Sequence, residues 1–447
     1  MQAREQKFIT LLIAIGLGLG LLSAACNKQS PQAERRAAAT AKPAPALSPL
    51  PVRPLSPELA RMLERAKGAA SATRELSWRG AARMTELTGW EYGTRSREMA
   101  EAIGGDELRA LSRLAVAGGM LPAGTDLAML AASFTAASAG ASYSPLDKQV
   151  LLLQADAEER ESSQESLITH ELVHALQDQH FDLLRLLIVS PYNFDRTEAL
   201  FSIIEGDAMN VQRRLEAGEA WTRRSLEDVA RLEDERFNEY RREIGAVFPP
   251  LLTETFIFRY RDGVRFVEAI RRKGGQRAVD GLFQRPPVSS EQILHPEKYL
   301  ASEAARPVAV DVPGFAAQGW PNIVAATPLG EIGVRGLLLK ALLHKEAARA
   351  AAGWGGDYAY LFEGTNRAPV FVWKTVWDKP EDATEFFRAY HSLRPRGSKL
   401  VGDNAHAAQS SWREDGRVTL VHQSADSVII IRGAEADVSS ALRLALN

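Results

Sequence analysis

Apolar and polar positions divide the chain into stretches of different texture. An apolar run from Phe8 to Leu22 follows Arg4 and Lys7 and ends in Ser23-Ala24-Ala25, the charged start, apolar middle and small-residue end of a secretory signal over residues 1–25. Residues 26–56 are rich in Ala and Pro with almost no large apolar side chain, so they cannot bury a core and are predicted to form an extended tether. From about 57 to 140 apolar residues recur at helical spacing between Gly-containing breaks, as in Ser56–Ala70 and Ser96–Ala115. Lys148–Gln154 is a short apolar run bounded by turn residues and predicts a strand. Amphipathic patterns then predict helices over about 163–187 and 196–217. After Pro286-Pro287 the texture changes again, with a helix near 329–352 ending at Gly353 and another over about 380–391. Strand-like runs lie at Val370–Val376, Val418–His422 and Val428–Ile431. The fold class expected is α+β, with a helix-rich domain at 57–300 and a smaller α+β unit at 301–447.

Composition changes this picture little. The chain has 447 residues, 45% hydrophobic and 25% charged, as in ordinary globular domains. Its net charge of −2 gives no field that would recruit nucleic acid, which is not an expected partner. The single cysteine, Cys26, cannot form an internal disulfide, but it directly follows the signal-like segment. Leu22-Ser23-Ala24-Ala25-Cys26 resembles a bacterial lipoprotein signal, with the leucine one place further from the cysteine than in the usual pattern. The resemblance implies cleavage before Cys26, lipidation of its thiol and attachment to a lipid bilayer, with the body exported to the periplasm or cell exterior. An uncleaved N-terminal anchor is the alternative.

The segment richest in chemistry is His170-Glu171-Leu172-Val173-His174. On a helix, positions i and i+4 share a face, so both imidazoles can offer a nitrogen to one Zn²⁺. Glu171, next to the first histidine, is placed to take a proton from a zinc-activated water. Ile168, Leu172, Ala175 and Leu176 form an apolar stripe that docks this helix beside the core. The strand before it could hold an extended substrate by β-addition. A third ligand is required, and Glu205 in Ile203-Ile204-Glu205-Gly206-Asp207-Ala208 is the first candidate. A carboxylate in an apolar run needs a partner, and Gly206 would let the two helices approach closely. Glu198, seven residues earlier on the same face, is the rival. Asp207 either orients a ligand histidine or caps local backbone.

His170–Asp182 (HELVHALQDQHFD) with Glu205–Ala208 (EGDA) resembles a family of bacterial and archaeal HExxH surface proteins of the glutamate-zincin type. The similarity extends through Pro286–Tyr299, Gly353–Asp357 and Val376–Phe386. It implies a zincin-like metallopeptidase fold for the helix-rich domain, Zn²⁺ as cofactor, Glu205 as the third ligand and a peptide or protein substrate. Zinc peptidases of this type also supply a downstream His or Tyr to stabilise the oxyanion, for which His295 and then Tyr299 are the candidates. A turn-capping role for His295 before Pro296 is the plain alternative. Gly353-Trp354-Gly355-Gly356-Asp357 lacks the Lys and spacing of a phosphate cradle and predicts a tight turn.

The function expected is that of a membrane-tethered zinc metallopeptidase. An amidase acting on cell-wall peptides would use the same site. A catalytically silent surface lipoprotein would more often lack Glu171 or a ligand, and all are present. A membrane-embedded peptidase would need several apolar spans, which the sequence lacks.

Overall fold

The structure, a computed structural model, describes residues 47–130, 140–154, 163–188, 192–404 and 408–446. The signal-like segment, Cys26 and the first part of the expected tether lie outside these residues. The rest of that tether, 47–56, lacks regular structure as expected but lies on the body rather than apart from it. Arg53 makes two bonds of 2.7 Å to Glu91, and Leu50 and Leu55 pack on separate apolar clusters. Among the described residues no helix is long and apolar enough to cross a membrane.

The fold is α+β. Helix α1 (Pro57–Arg74) starts where Ser56 accepts from the Leu59 N–H and Pro57 fits the first turn. Its buried stripe of Leu59, Met62, Leu63, Ala66 and Ala70 packs into the first core. Helix α2 (Gly89–Ala117) begins with a capping box between Thr88 and Glu91 and departs from helical geometry at Gly104. A small sheet accompanies these helices, with strands β1 (Met84–Leu87), β2 (Ala141–Ser144) and β3 (Gln149–Leu153) in the order β1-β3-β2. Only β3 was legible as a strand. The other two are four residues long and take their conformation from pairing with it.

Helix α3 (Ser163–Phe181) carries the HExxH residues and stops at Asp182, which has φ 55°. The pattern predicted one helix to about 187, but Asp178 accepts from the Leu183 N–H and starts a separate short turn. Helix α4 (Phe194–Ala217) is capped by Asn193 and buried on every side from Ala199 to Arg213. Helices α5 (Leu226–Gly245) and α6 (Pro250–Ile257) lead into a π-helical segment, Phe258–Asp262, and then α7 (Gly263–Gln284). Helices α4 and α7 cross at two glycines. A Cβ on Gly206 would lie 2.3 Å from the Gly263 carbonyl carbon, and one on Gly263 would lie 2.3 Å from the Ser202 oxygen. Gly206 does permit a close approach, but toward α7 rather than toward the HExxH helix.

The remainder forms a seven-stranded antiparallel sheet in the order β4-β5-β6-β10-β9-β8-β7. Its strands are β4 (Asn322–Thr327), β5 (Trp354–Glu363), β6 (Val370–Trp377), β7 (Lys399–Asn404), β8 (Gln409–Glu414), β9 (Arg417–Ser424) and β10 (Ser427–Gly433). Leu361, Trp373 and Ile430 face a core that includes Leu111 and Leu114 of α2. Phe362, Val372 and Ile429 face a second core that includes Val438 and Ala441 of the C-terminal helix. Because α2 belongs to this sheet's core, the expected division at 300/301 does not separate two independent cores. The helix expected over 329–352 is two helices, Gly330–Leu338 and His344–Ala351. Glu346 accepts from the Leu343 N–H and starts the second. Of the expected tight turn, only Gly353 (φ 78°) turns, since Trp354–Asp357 already belongs to β5.

Candidate metal centre

Three side chains from α3 and α4 converge in the interior. His170 Nε2 and His174 Nε2 lie 3.2 Å apart, and Glu205 Oε2 lies 3.3 Å from the first and 3.4 Å from the second. All three residues are fully buried. Glu205 arrives because α4 crosses α3 at the level of the histidines, with Ile203 and Ile204 buried beside it. A tetrahedral ion bonded at about 2.0–2.1 Å holds its ligands about 3.3–3.4 Å apart, so these atoms fit such an ion as they stand.

The electrostatics favour positive charge at this point. Burial disfavours a charged His174, but Glu205 beside it more than offsets this and raises the imidazole to about 9. Burial likewise works against a charged Glu205, yet His174 and His170 hold its carboxyl down at about 2. For His170 burial wins and lowers its affinity for a proton, with His174 adding to the effect. A cation shared by the three would satisfy all of them.

Glu171 lies beside the triangle and is itself fully buried, which raises its carboxyl to about 8. Its Oε2 accepts from the Tyr143 backbone N–H of β2 at 2.7 Å, while Oε1 has no hydrogen-bond partner among the described residues. The strand next to this carboxylate is therefore β2, at the sheet edge. The strand read from the sequence, β3, has both edges paired and cannot receive a substrate by β-addition.

Asp207 does not touch a histidine. Its Oδ2 accepts from Gln177 Nε2 at 2.9 Å and from Arg74 Nε at 2.7 Å, and Gln177 Oε1 faces His174 Nδ1 at 2.9 Å. Glu198 is not part of the triangle either. It is buried and receives two bonds of 2.6 Å from Arg259, so it is an ion-pair partner rather than a solvated carboxylate at a helix start.

The two oxyanion candidates lie elsewhere, and this is a correction. His295 Nε2 pairs with Glu331 Oε2 at 3.0 Å. Tyr299 donates to the Arg285 carbonyl at 2.9 Å and packs edge-on against Phe266. Their short helices, Ser290–Leu294 and Pro296–Leu300, pack against α4 and α7, which leaves both side chains engaged away from the triangle.

The residue that sequence reasoning missed is Tyr260, in the π-helical segment. It is buried, its hydroxyl has no hydrogen-bond partner among the described residues, and burial followed by the charges of Glu205 and Glu171 opposes its ionisation. It belongs to the same apolar cluster as Leu172 and Val173 of α3. The Arg259-Tyr260-Arg261 run gave no period or spacing that could have marked it.

Comparison with known proteins adds one finding. A family model described as Domain of unknown function (DUF8575) matches residues 322–443. That span holds the seven-stranded sheet and most of the C-terminal helix, and none of the converging residues. No curated protein and no solved structure matches the chain.

Proposed function

We propose that this protein is a zinc-dependent metallopeptidase, exported and tethered to a membrane through lipid on Cys26. The observation that carries the reading is the triangle of His170 Nε2, His174 Nε2 and Glu205 Oε2, with sides of 3.2–3.4 Å. These three residues would hold the ion. When bound, zinc would lower the pKa of a water and polarise the substrate carbonyl.

The chain's own groups then have separate tasks. Glu171, with one oxygen held by Tyr143 N–H and the other unpartnered, takes a proton from the attacking water and passes it to the leaving amine. The Tyr260 hydroxyl, unpartnered and near both carboxylates, donates to the oxygen on which negative charge grows. Burial of all these groups in a site of low polarity strengthens each interaction.

The full-length protein is expected to carry about one zinc per chain after reconstitution. Glu171→Gln is expected to keep the zinc and lose peptide hydrolysis, because Glu171 is not a ligand. No stoichiometric metal in the wild-type chain would end this reading. Cys26→Ser tests the tether, with loss of lipid labelling and of membrane retention expected.

A second reading, metal binding without hydrolysis, draws on the complete burial of His170, Glu171 and Glu205. A screen of peptide and cell-wall peptide substrates at saturating zinc separates the two, since only the peptidase reading expects cleavage that Glu171→Gln abolishes.

A further inference from the structure

His174 is held from behind by a chain of contacts that leaves the HExxH helix altogether. Its Nδ1 faces one terminal atom of the Gln177 amide at 2.9 Å. The other terminal atom lies 3.0 Å from the Ile204 carbonyl oxygen and 2.9 Å from Asp207 Oδ2. Both of those neighbours are acceptors, so that atom is the amide nitrogen and the oxygen is the one facing His174. An amide oxygen can only accept. His174 therefore carries a hydrogen on Nδ1, and the bond this makes turns its Nε2 toward His170 Nε2 and Glu205 Oε2.

Asp207 is held in place by Arg74. This arginine, the last residue of α1, is fully buried, donates from Nε to Asp207 Oδ2 at 2.7 Å and from its far edge to Asp280 Oδ1 at 2.7 Å. A guanidinium has only donors to offer, so Arg74 fixes Asp207 Oδ2 as the acceptor that Gln177 Nε2 also meets. With Arg74 holding Asp207 there, Gln177 cannot turn its amide around without setting its oxygen against Asp207 Oδ2 and the Ile204 carbonyl.

We propose that Arg74 is a positioning residue for the metal site, acting through Asp207 and Gln177 to hold the His174 ring with Nε2 aimed at the ion. The inference rests on the metal-binding reading above. It gives α1 a task that nothing in its sequence announces, since Arg74 lies 133 residues before Asp207. The orientation of the His174 ring is thus set by contacts that do not include the ion.

The test compares zinc affinity, by competition with a chelator, in the full-length wild type and in Asp207→Asn, Arg74→Met, Arg74→Lys and Glu268→Gln. In Asp207→Asn the new side-chain amide can turn and release Gln177, while its size leaves the packing intact. Affinity is expected to fall about 10–100-fold in Asp207→Asn and Arg74→Met and to recover substantially in Arg74→Lys, which keeps the charge. Glu268→Gln breaks another buried polar cluster on α4 and α7, around Asn210, Arg271 and Arg272, that does not reach the histidines. It is expected to lower stability and leave zinc affinity unchanged. In the zinc-loaded protein, the His174 Nδ1–H signal should exchange slowly with solvent in the wild type and faster in Asp207→Asn and Arg74→Met. A wild type that binds no zinc would overturn the metal reading and this inference with it. Zinc held equally well by wild type, Asp207→Asn and Arg74→Met would overturn this inference alone, as would a loss no larger than that of Glu268→Gln.

Discussion

Gly206 and Gly263 meet backbone to backbone, so closely that a Cβ on Gly206 would lie 2.3 Å from the carbonyl carbon of Gly263. The contact sits between two parts of the site. Glu205 immediately precedes one glycine, and the π-helical segment with Tyr260 ends just before the other. A π-helical turn is a rare local geometry often found at functional positions.

Gly206→Ala is therefore expected to disturb the site without altering any ligand. Backbone atoms cannot move aside as a flexible side chain can, so overpacking should cost at least about 1–3 kcal/mol. Thermal unfolding and zinc titration of the same sample check this. Wild-type melting and wild-type affinity together would show that the two helices can separate freely, against the geometry described.

Glu205→Ala and Glu198→Ala should fail in opposite ways. Glu205→Ala removes one corner of the triangle and is expected to lose most zinc affinity. Glu198→Ala leaves Arg259 buried without its partner, at a cost of about 3–5 kcal/mol, yet should keep its zinc wherever it remains folded. Chelator competition beside denaturant unfolding reads the two effects separately. Zinc lost on removing Glu198 and kept on removing Glu205 would reverse the assignment.

Tyr260→Phe removes only a hydroxyl that has no hydrogen-bond partner among the described residues. Stability should be equal or slightly higher, since an unsatisfied buried group is gone. Zinc content should be unchanged, while kcat for peptide cleavage should fall by about 10²–10³, the usual effect of removing one oxyanion donor. An unchanged kcat would remove Tyr260 from the mechanism.

Asp195 offers a pH test away from the metal centre. Burial pushes its carboxyl up to about 8, against the bond it accepts from the Ser290 N–H at 2.8 Å. A raised folded pKa means that between about 3.9 and 8 the folded chain holds a proton that the unfolded chain releases. Its contribution to stability is thus fully present below that window and declines as pH rises through it, by up to about 1.4 kcal/mol per pH unit. Asp195→Asn keeps an acceptor for Ser290 and has no proton to lose. The melting-temperature advantage of Asp195→Asn over wild type should widen from pH 5 to 8 and level off above. A constant difference across that range would contradict the assignment.

What the sequence alone determined is local. His170 and His174 share a face because helical spacing puts them there, and Glu171 follows from the same register. Glu205 was legible because a carboxylate among Ile203, Ile204 and Ala208 has no reason to be buried without a partner. The α+β class and the strands around residues 370, 420 and 430 followed from runs of apolar residues that strands bury on alternate faces.

Tertiary structure decided everything that depends on which elements meet. Tyr260 packs in one core with residues of α3 and α4, while His295 and Tyr299, chosen by residue type, pair with Glu331 and with the Arg285 carbonyl. Arg74 reaches Asp207, Glu198 pairs with Arg259 rather than joining the two histidines, and β2 rather than β3 lies against Glu171. Each of these pairs residues far apart along the chain. Spacing constrains only neighbours within a few turns of one element, whereas contacts between elements are set by how buried surfaces and charges are satisfied together.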